Sequence, residues 1–328
     1  MIKHIQEMIQ KGKEITVVHV IKRQIQVALY CIEDYVELNE ELHIPQVIEA
    51  IKQRKTTCVQ HADTIIFVEC IYKKPPLYIF GGGTIAYPLS KLAMMCGFDV
   101  HIFDERKEYV NQQRFPWVAH LHHMPFQEVF LKTKFEKQAY YVLATQGHSK
   151  DEICLKEILK KSYHYIGVVG SRRKGILLKR HFEELGFSSE QLAHLHIPIG
   201  LPILSSTPEE IAVSIIAELI QERAKHLRIE CDESIWLDIK TPCVVATILT
   251  HQGSTPRGTG SKMIVYKDGH ITGSIGGGRI EYQVMTKAKE FYESSHQSMI
   301  MDFNLSHIPG EEGLVCGGTA CVLLEKFL

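Results

Sequence analysis

The chain has 328 residues, 45% of them apolar and 23% charged, with a formal net charge of −1 at pH 7. That length suits two or three domains of roughly 100–200 residues each, and the composition suits packed cores rather than disorder. A charge this close to zero excludes a protein built to grip the phosphate backbone of nucleic acid.

The first residues, MIKHIQEMIQKGKEI, are charged throughout and contain no signal-peptide core. Apolar runs such as IAVSIIAELI (211–220) fall short of the roughly 20 residues a bilayer requires, so no membrane partner is expected. Nine cysteines stand singly, at Cys31, Cys58, Cys70, Cys96, Cys154, Cys231, Cys243, Cys316 and Cys321. An odd number with no C-x-x-C pair reads as a reduced, cytoplasmic protein with mostly buried thiols.

Residues 1–75 form a short αβ segment that aligns with the end of the chain. VALYCIEDYVEL (27–38) falls on MIVYKDGHITGS (263–274), Gln46-Val47 on Gln283-Val284, and TIIFVE (64–69) on TACVLLE (319–325). The segment is either a worn copy of the C-terminal domain or an unrelated small unit.

From 76 to 225, short apolar runs alternate with helical patterns. LYIFGG (77–82), FDVHIFD (98–104), YYVLAT (140–145) and YIGVVG (165–170) read as strands. Helices are expected after the first of these, from about 150 to 161, from Ser171 and from Thr207-Pro208-Glu209-Glu210. This alternation predicts a Rossmann-like α/β domain with a parallel sheet covered on both faces. Residues 226–328 begin with a polar linker and then read as a smaller, strand-rich α+β domain. Lys267-Asp268-Gly269 is its expected hairpin corner.

Gly81-x-Gly83-x-x-Ala86 follows a strand and opens a helix, and Asp104 ends the next strand. Glycines permit the tight turn and a close approach of backbone to phosphate, the small third residue permits helix packing, and the acid can hold a ribose hydroxyl. Arg106, two residues beyond Asp104, leaves the choice between NAD and NADP open. Ser171, Arg172, Arg173 and Lys174 place three cations and a hydroxyl at a helix start, a candidate phosphate site. His148, in ATQGH just beyond a strand end, can contact ligand or act as an acid–base group. His120, His122 and His123 read as surface histidines rather than metal ligands, because no carboxylate or cysteine stands at supporting spacing.

The C-terminal domain holds three glycine-rich loops. GSTPRGTG (253–260) carries Arg257, and GSIGGGRIE (273–281) carries Gly276, Gly277, Gly278 and Arg279. CGGT (316–319) carries a thiol, Cys316, between small residues, whereas Cys321 lies in an apolar strand and reads as core. Glycine is costly unless positive φ or close backbone approach is needed, so the three loops point to a cradle for an anionic or polar ligand.

GSTPRGTGSKM, GSIGGGRIE and VCGGT resemble the conserved blocks of the XdhC/CoxI family, the xanthine dehydrogenase accessory factors. IFGGGTIAYPLSKLAMMCGFDVHIFDER, the RFP at 114–116, ATQGH, GVVGSRRK and IPIGLPI…TPEEIAVSI resemble that family's Rossmann domain. The resemblance spans roughly residues 75–328. It implies a factor that binds molybdenum cofactor and assists its sulfuration and insertion into xanthine dehydrogenase or a related molybdenum hydroxylase. It also implies that Arg257, Arg279 and the 172–174 cluster face the cofactor phosphate while Cys316 meets molybdenum or sulfur. A cysteine desulfurase and a second copy of the chain are the further partners expected. The chain departs from the family in two ways. Its glycine-rich domain follows the Rossmann domain instead of preceding it, and Arg279 stands where many members have cysteine. The competing reading is an NAD(P)-dependent oxidoreductase or a nucleotide-sensing component of such an enzyme, built on Gly81, Gly83 and Asp104.

Overall fold

The computed structural model describes residues 1–23, 25–32, 42–226, 234–253, 257–304 and 318–328. Cys231, residues 254–256 and Cys316 lie outside that set, so the expectations resting on Cys316 do too, and the same holds for the side chain of Arg279. The chain forms two compact units: Lys74–Arg228, central in the sequence, and an outer unit that joins Met1–Lys73 to Ile229–Leu328.

The N-terminal part of the outer unit runs α1 (Ile2–Gln10), β1 (Ile15–Lys22), β2 (Ile25–Ile32), α2 (Pro45–Lys52), β3 (Thr57–His61) and β4 (Thr64–Ile71). Its four strands form an antiparallel sheet in the order β2-β1-β4-β3. The central strand β1 is buried on both faces. Val47, Ala50 and Ile51 of α2 pack on Val18, Val20, Ile66 and Val68.

The central unit comprises β5 (Pro76–Phe80), α3 (Ala86–Met95), β6 (Asp99–Asp104), β7 (His120–His123), α4 (Phe126–Lys132), β8 (Ala139–Leu143), α5 (His148–Ile158), β9 (Tyr163–Val168), α6 (Arg172–Glu184), α7 (Ser189–Ala193), β10 (Leu195–His196) and α8 (Pro208–Ala224). The six strands are all parallel, in the order β10-β9-β8-β5-β6-β7. This is the doubly wound order in which the winding reverses beside the first strand, here between β5 and β8. Every residue of β5 and β8 is buried, as two-sided coverage demands. On one face α3 and α8 cover Leu77, Ile79, Val100 and Val142. On the other, α4, α5 and α6 cover Phe80, Phe103, Leu143 and Ile166.

The outer unit resumes with α9 (Ser234–Asp238), β11 (Cys243–Gly253), β12 (Lys262–Tyr266), β13 (Ile271–Gly273), α10 (Gly278–Glu293), β14 (Ser298–Asn304) and β15 (Gly318–Phe327). The β12–β13 corner is the expected one, with Gly269 at φ +89° and its N–H on Tyr266 O at 2.9 Å. The sheet order β13-β12-β11-β15-β14 repeats the threading of the first sheet. In each, the first strand lies between the second and the last, and a helix precedes the final pair. Registers agree as well: Val17 faces Glu69 across β1–β4, and Val245 faces Glu325 across β11–β15. Helix α10 covers the face of the second sheet formed by Val244, Ala246 and Val322.

Ile21 and Phe67 of the first sheet and Leu249 and Leu323 of the second share one buried cluster, so the two sheets pack against each other. A buried polar group lies among these strands. Lys262 Nζ sits 2.9 Å from Glu69 Oε2 and donates to Thr247 Oγ1 at 2.9 Å. Trp236 Nε1 donates to Glu69 Oε1 at 2.9 Å. His19 lies 3.4 Å from Glu325 Oε1 and 3.7 Å from Glu69 Oε2. Burial alone would depress its pKa, but Glu325 and Glu69 outweigh that and raise it to about 9. Among the described residues no helix is long and apolar enough to cross a membrane.

Candidate functional site

The turn after β5 is shaped by three glycines with different constraints. Gly81 has φ +105°, and a Cβ there would lie 2.2 Å from Ala144 O at the exit of β8. A Cβ on Gly82 would lie 2.0 Å from Tyr109 O, whereas one on Gly83 would meet nothing within 4 Å. The first two glycines are thus required by packing, and the third borders open space. Ala86 is fully buried and lets α3 approach the sheet. Arg114, the arginine of RFP, donates to Gly82 O at 3.2 Å and holds the turn from outside. Helix α3 starts without a side-chain cap, but Tyr87 N already bonds Gly83 O at 3.4 Å, Leu89 N bonds Ile85 O at 3.1 Å and Pro88 has no N–H, so its first turn offers an anion little beyond the Ala86 amide.

Asp104 ends β6 as expected, but its carboxylate is already engaged. Oδ1 accepts from Arg106 N at 2.9 Å and Arg106 Nε at 3.0 Å. Oδ2 accepts from Arg106 Nη2 at 2.8 Å and Gly82 N at 2.8 Å. A carboxylate has about four lone-pair sites, and these four donors fill them. Asp104 is only 2% exposed. Burial would raise its pKa, yet the Arg106 and Gly82 donors hold it below the usual carboxylate value. The arrangement leaves no acceptor for a ribose hydroxyl while Arg106 stays in place.

At the exit of β8, Gly147 caps α5 at φ +101°, and a Cβ there would also meet nothing within 4 Å. His148 is the exposed first residue of α5, which likewise lacks a side-chain cap. Behind it, Asp151 is almost fully buried. Its Oδ1 accepts from Thr145 Oγ1 at 2.6 Å, and its Oδ2 from Lys174 Nζ. Lys174 also donates to Val169 O at 2.8 Å, so it ties the loops after β8 and β9 together. The expected phosphate cluster is therefore divided. Ser171 caps α6 by accepting from Lys174 N, and Lys174 turns inward. Of the three cations, Arg172 and Arg173 stay exposed, with no ion pair among the described residues.

In the outer unit, Arg257 and Gly258 are exposed, and Thr259 Oγ1 lies 3.2 Å from His251 Nδ1. A cavity of about 690 Å³ adjoins this loop, lined by Leu249–Gln252, Gly258 and Thr259 on one side and by Thr56, Thr57 and Cys58 on the other. Gly276, Gly277 and Gly278 all have positive φ, and side-chain space beside Gly277 and Gly278 is open. Their loop is organised by Glu281, a role spacing alone did not reveal. Its Oε1 accepts from Ser274 Oγ at 2.6 Å and Ile275 N at 3.0 Å. Burial would raise the Glu281 pKa, but Ser274 and the loop amides lower it. Part of the amide cradle thus already holds an internal carboxylate. Burial pushes the thiols of Cys58 and Cys243 up to about 11 and that of Cys321 up to about 12, so none of these three is a thiolate at neutral pH.

Uncapped helices and open glycines at the reversal point of a doubly wound sheet, joined to a glycine-loop unit, define a two-unit protein of the Rossmann class. Residues 77–219 match the XdhC Rossmann domain and residues 236–304 the XdhC and CoxI family. The chain belongs to the XdhC/CoxI family. It is 33% identical over 164 residues to a probable xanthine dehydrogenase component of Bacillus subtilis, covering 49% of this chain and 47% of that one. Identity to the uncharacterized protein YqeB of Escherichia coli is 29% over 157 residues, 48% of this chain and 29% of that one. Identity to the molybdenum cofactor insertion chaperone PaoD of Escherichia coli is 23% over 155 residues, 47% and 42% of the two chains. The matches span less than half the length of these curated relatives. A crystal structure described as a xanthine dehydrogenase from Bacillus halodurans aligns with TM-score 0.55 and 26% identity, covering 68% of this chain and 66% of that one.

Proposed function

We propose that the chain is an accessory factor that carries molybdenum cofactor to a molybdenum hydroxylase of the xanthine dehydrogenase kind, with the cofactor as cargo. The observation that carries this reading is the set of open glycines at the β5–β8 reversal of the sheet. There the uncapped start of α5, the start of α3 and the open space at Gly83 and Gly147 suit a phosphate, with α5 offering the freer amides. The saturated Asp104 disfavours the ribose of a nicotinamide nucleotide, and the alternative oxidoreductase or sensing role requires Arg106 to release it. The names of two relatives support the same direction. Arg172 and Arg173 add exposed positive charge beyond α5, and in this reading the exposed His148 contacts the cargo.

In its finer form the proposal includes sulfuration, with a cysteine desulfurase as sulfur source, Cys316 as the thiol and a homodimer as the working form. In a strain lacking the chain, the client hydroxylase polypeptide accumulates without activity. Wild-type chain restores the activity, and Gly83→Glu, which places a carboxylate in the open space, does not. Full client activity in the deleted strain overturns the accessory role, and unchanged activity with Cys316→Ala removes the thiol from it.

A further inference from the structure

Strands β6 and β7 lie side by side in parallel, with His101 registered opposite His120. Asp99 opens β6 two residues before His101, on the same face of the strand. The result is a group that sequence spacing conceals. His101 Nε2 lies 3.4 Å from Asp99 Oδ2, and His120 Nε2 lies 3.6 Å from Asp99 Oδ1. One ligand atom from each of the three residues falls within 4.8 Å of the others. The two imidazoles stack at 4.2 Å between centroids, only 10° from parallel, and Tyr78 packs on His101 at 4.8 Å. His101 is thereby held in place, whereas His120 is half exposed and must turn its ring out of the stack for both imidazole lone pairs to meet one ion.

We propose that Asp99, His101 and His120 form a binding site for a divalent cation of the zinc(II) class, with water completing the coordination. Tetrahedral zinc with nitrogen and oxygen ligands at about 2.0–2.1 Å separates neighbouring ligand atoms by about 3.4 Å; here the two oxygens of Asp99 each face one imidazole, at 3.4 and 3.6 Å, and the set closes onto one ion once His120 turns. Two neutral imidazoles and one carboxylate are a donor set suited to zinc, cobalt or nickel rather than to calcium or magnesium. The ion would act as a clasp. β7 is an edge strand of four residues, paired on one side only, and the site joins its first residue to β6. The site lies at the opposite end of the sheet from the glycine turn, because Asp99 and His120 begin their strands whereas Gly81 follows the end of β5.

The test uses the full chain, stripped with chelator and titrated with Zn²⁺ or Co²⁺. Bound metal is measured after gel filtration, alongside the visible absorption of Co²⁺ and the thermal midpoint. The expected result is one equivalent per chain, a low-coordinate Co²⁺ spectrum and a midpoint raised by Zn²⁺, as ligand binding to the native state requires. His120→Asn, at an exposed position, and Asp99→Asn lose all three signals. His194→Asn, an exposed histidine outside the group, keeps them. Circular dichroism confirms that the variants are folded. Absence of a bound equivalent in the wild type, or its survival in folded His120→Asn, overturns the assignment.

Discussion

Gly81 and Gly83 stand two residues apart in one turn and answer to different demands. At Gly81 both φ and the Ala144 carbonyl exclude a side chain. Gly81→Ala is expected to lower stability by roughly 1–3 kcal/mol from backbone strain alone, with displacement of the β8 exit added. Gly83→Ala enters open space and is expected to stay within about 0.5 kcal/mol of wild type. Denaturant titration of both variants checks the contrast. His19 gives a second residue-scale prediction. Its pKa rises from about 6.5 in the unfolded chain to about 9 in the fold. The stability this provides is complete below about pH 6.5 and is lost as pH climbs through 9. Thermal midpoints measured from pH 6.5 to 9.5 should fall in wild type, and a flat profile contradicts the assignment. The glycine fingerprint and Asp104 were legible in the sequence because their spacing is local. The saturation of Asp104 was not, since nothing in the spelling DER shows that Arg106 folds back on the acid two residues before it.

Helices α3, α5 and α6 begin close to the same edge of one sheet, yet their starts differ. Those of α3 and α5 lack a side-chain cap, whereas Ser171 caps α6 and Lys174 anchors it to buried Asp151. Ser171→Ala is expected to cost about 1 kcal/mol. Lys174→Met leaves a buried carboxylate without its cation and is expected to cost about 3–5 kcal/mol. Both are measurable by chemical denaturation. The strands of the central unit were legible because fully buried parallel strands spell continuous apolar runs, as PLYIF and AYYVL do. β7 was missed for the opposite reason. HLHH is polar and only four residues long, and it is a strand because β6 offers it a register. The same pairing brings Asp99 and His101 to His120, which no spacing along the chain displays.

Across the whole chain, the first and last segments share one unit, and their sheets share buried residues from both ends of the sequence. The alignment of TIIFVE with TACVLLE foreshadowed the matched places of Glu69 and Glu325, but not that the two sheets would pack together. We read the matched threading as a duplication in which only the second copy retains the glycine loops. A fragment spanning 74–228 has its own two-sided core and is expected to fold alone. A fragment spanning 234–328 exposes Val245, Leu249 and Leu323 and is expected to aggregate unless residues 1–73 are supplied. Limited proteolysis and light scattering on the two fragments check this.

The most direct measurement is the ligand itself. The chain is purified from cells with and without molybdenum-cofactor synthesis, assayed for bound pterin and molybdenum, and titrated with NADH. Pterin and molybdenum are expected to be bound only when the cofactor is made and to be lost in Gly83→Glu, with weak NADH binding throughout. Tight NADH binding with no pterin uptake contradicts this.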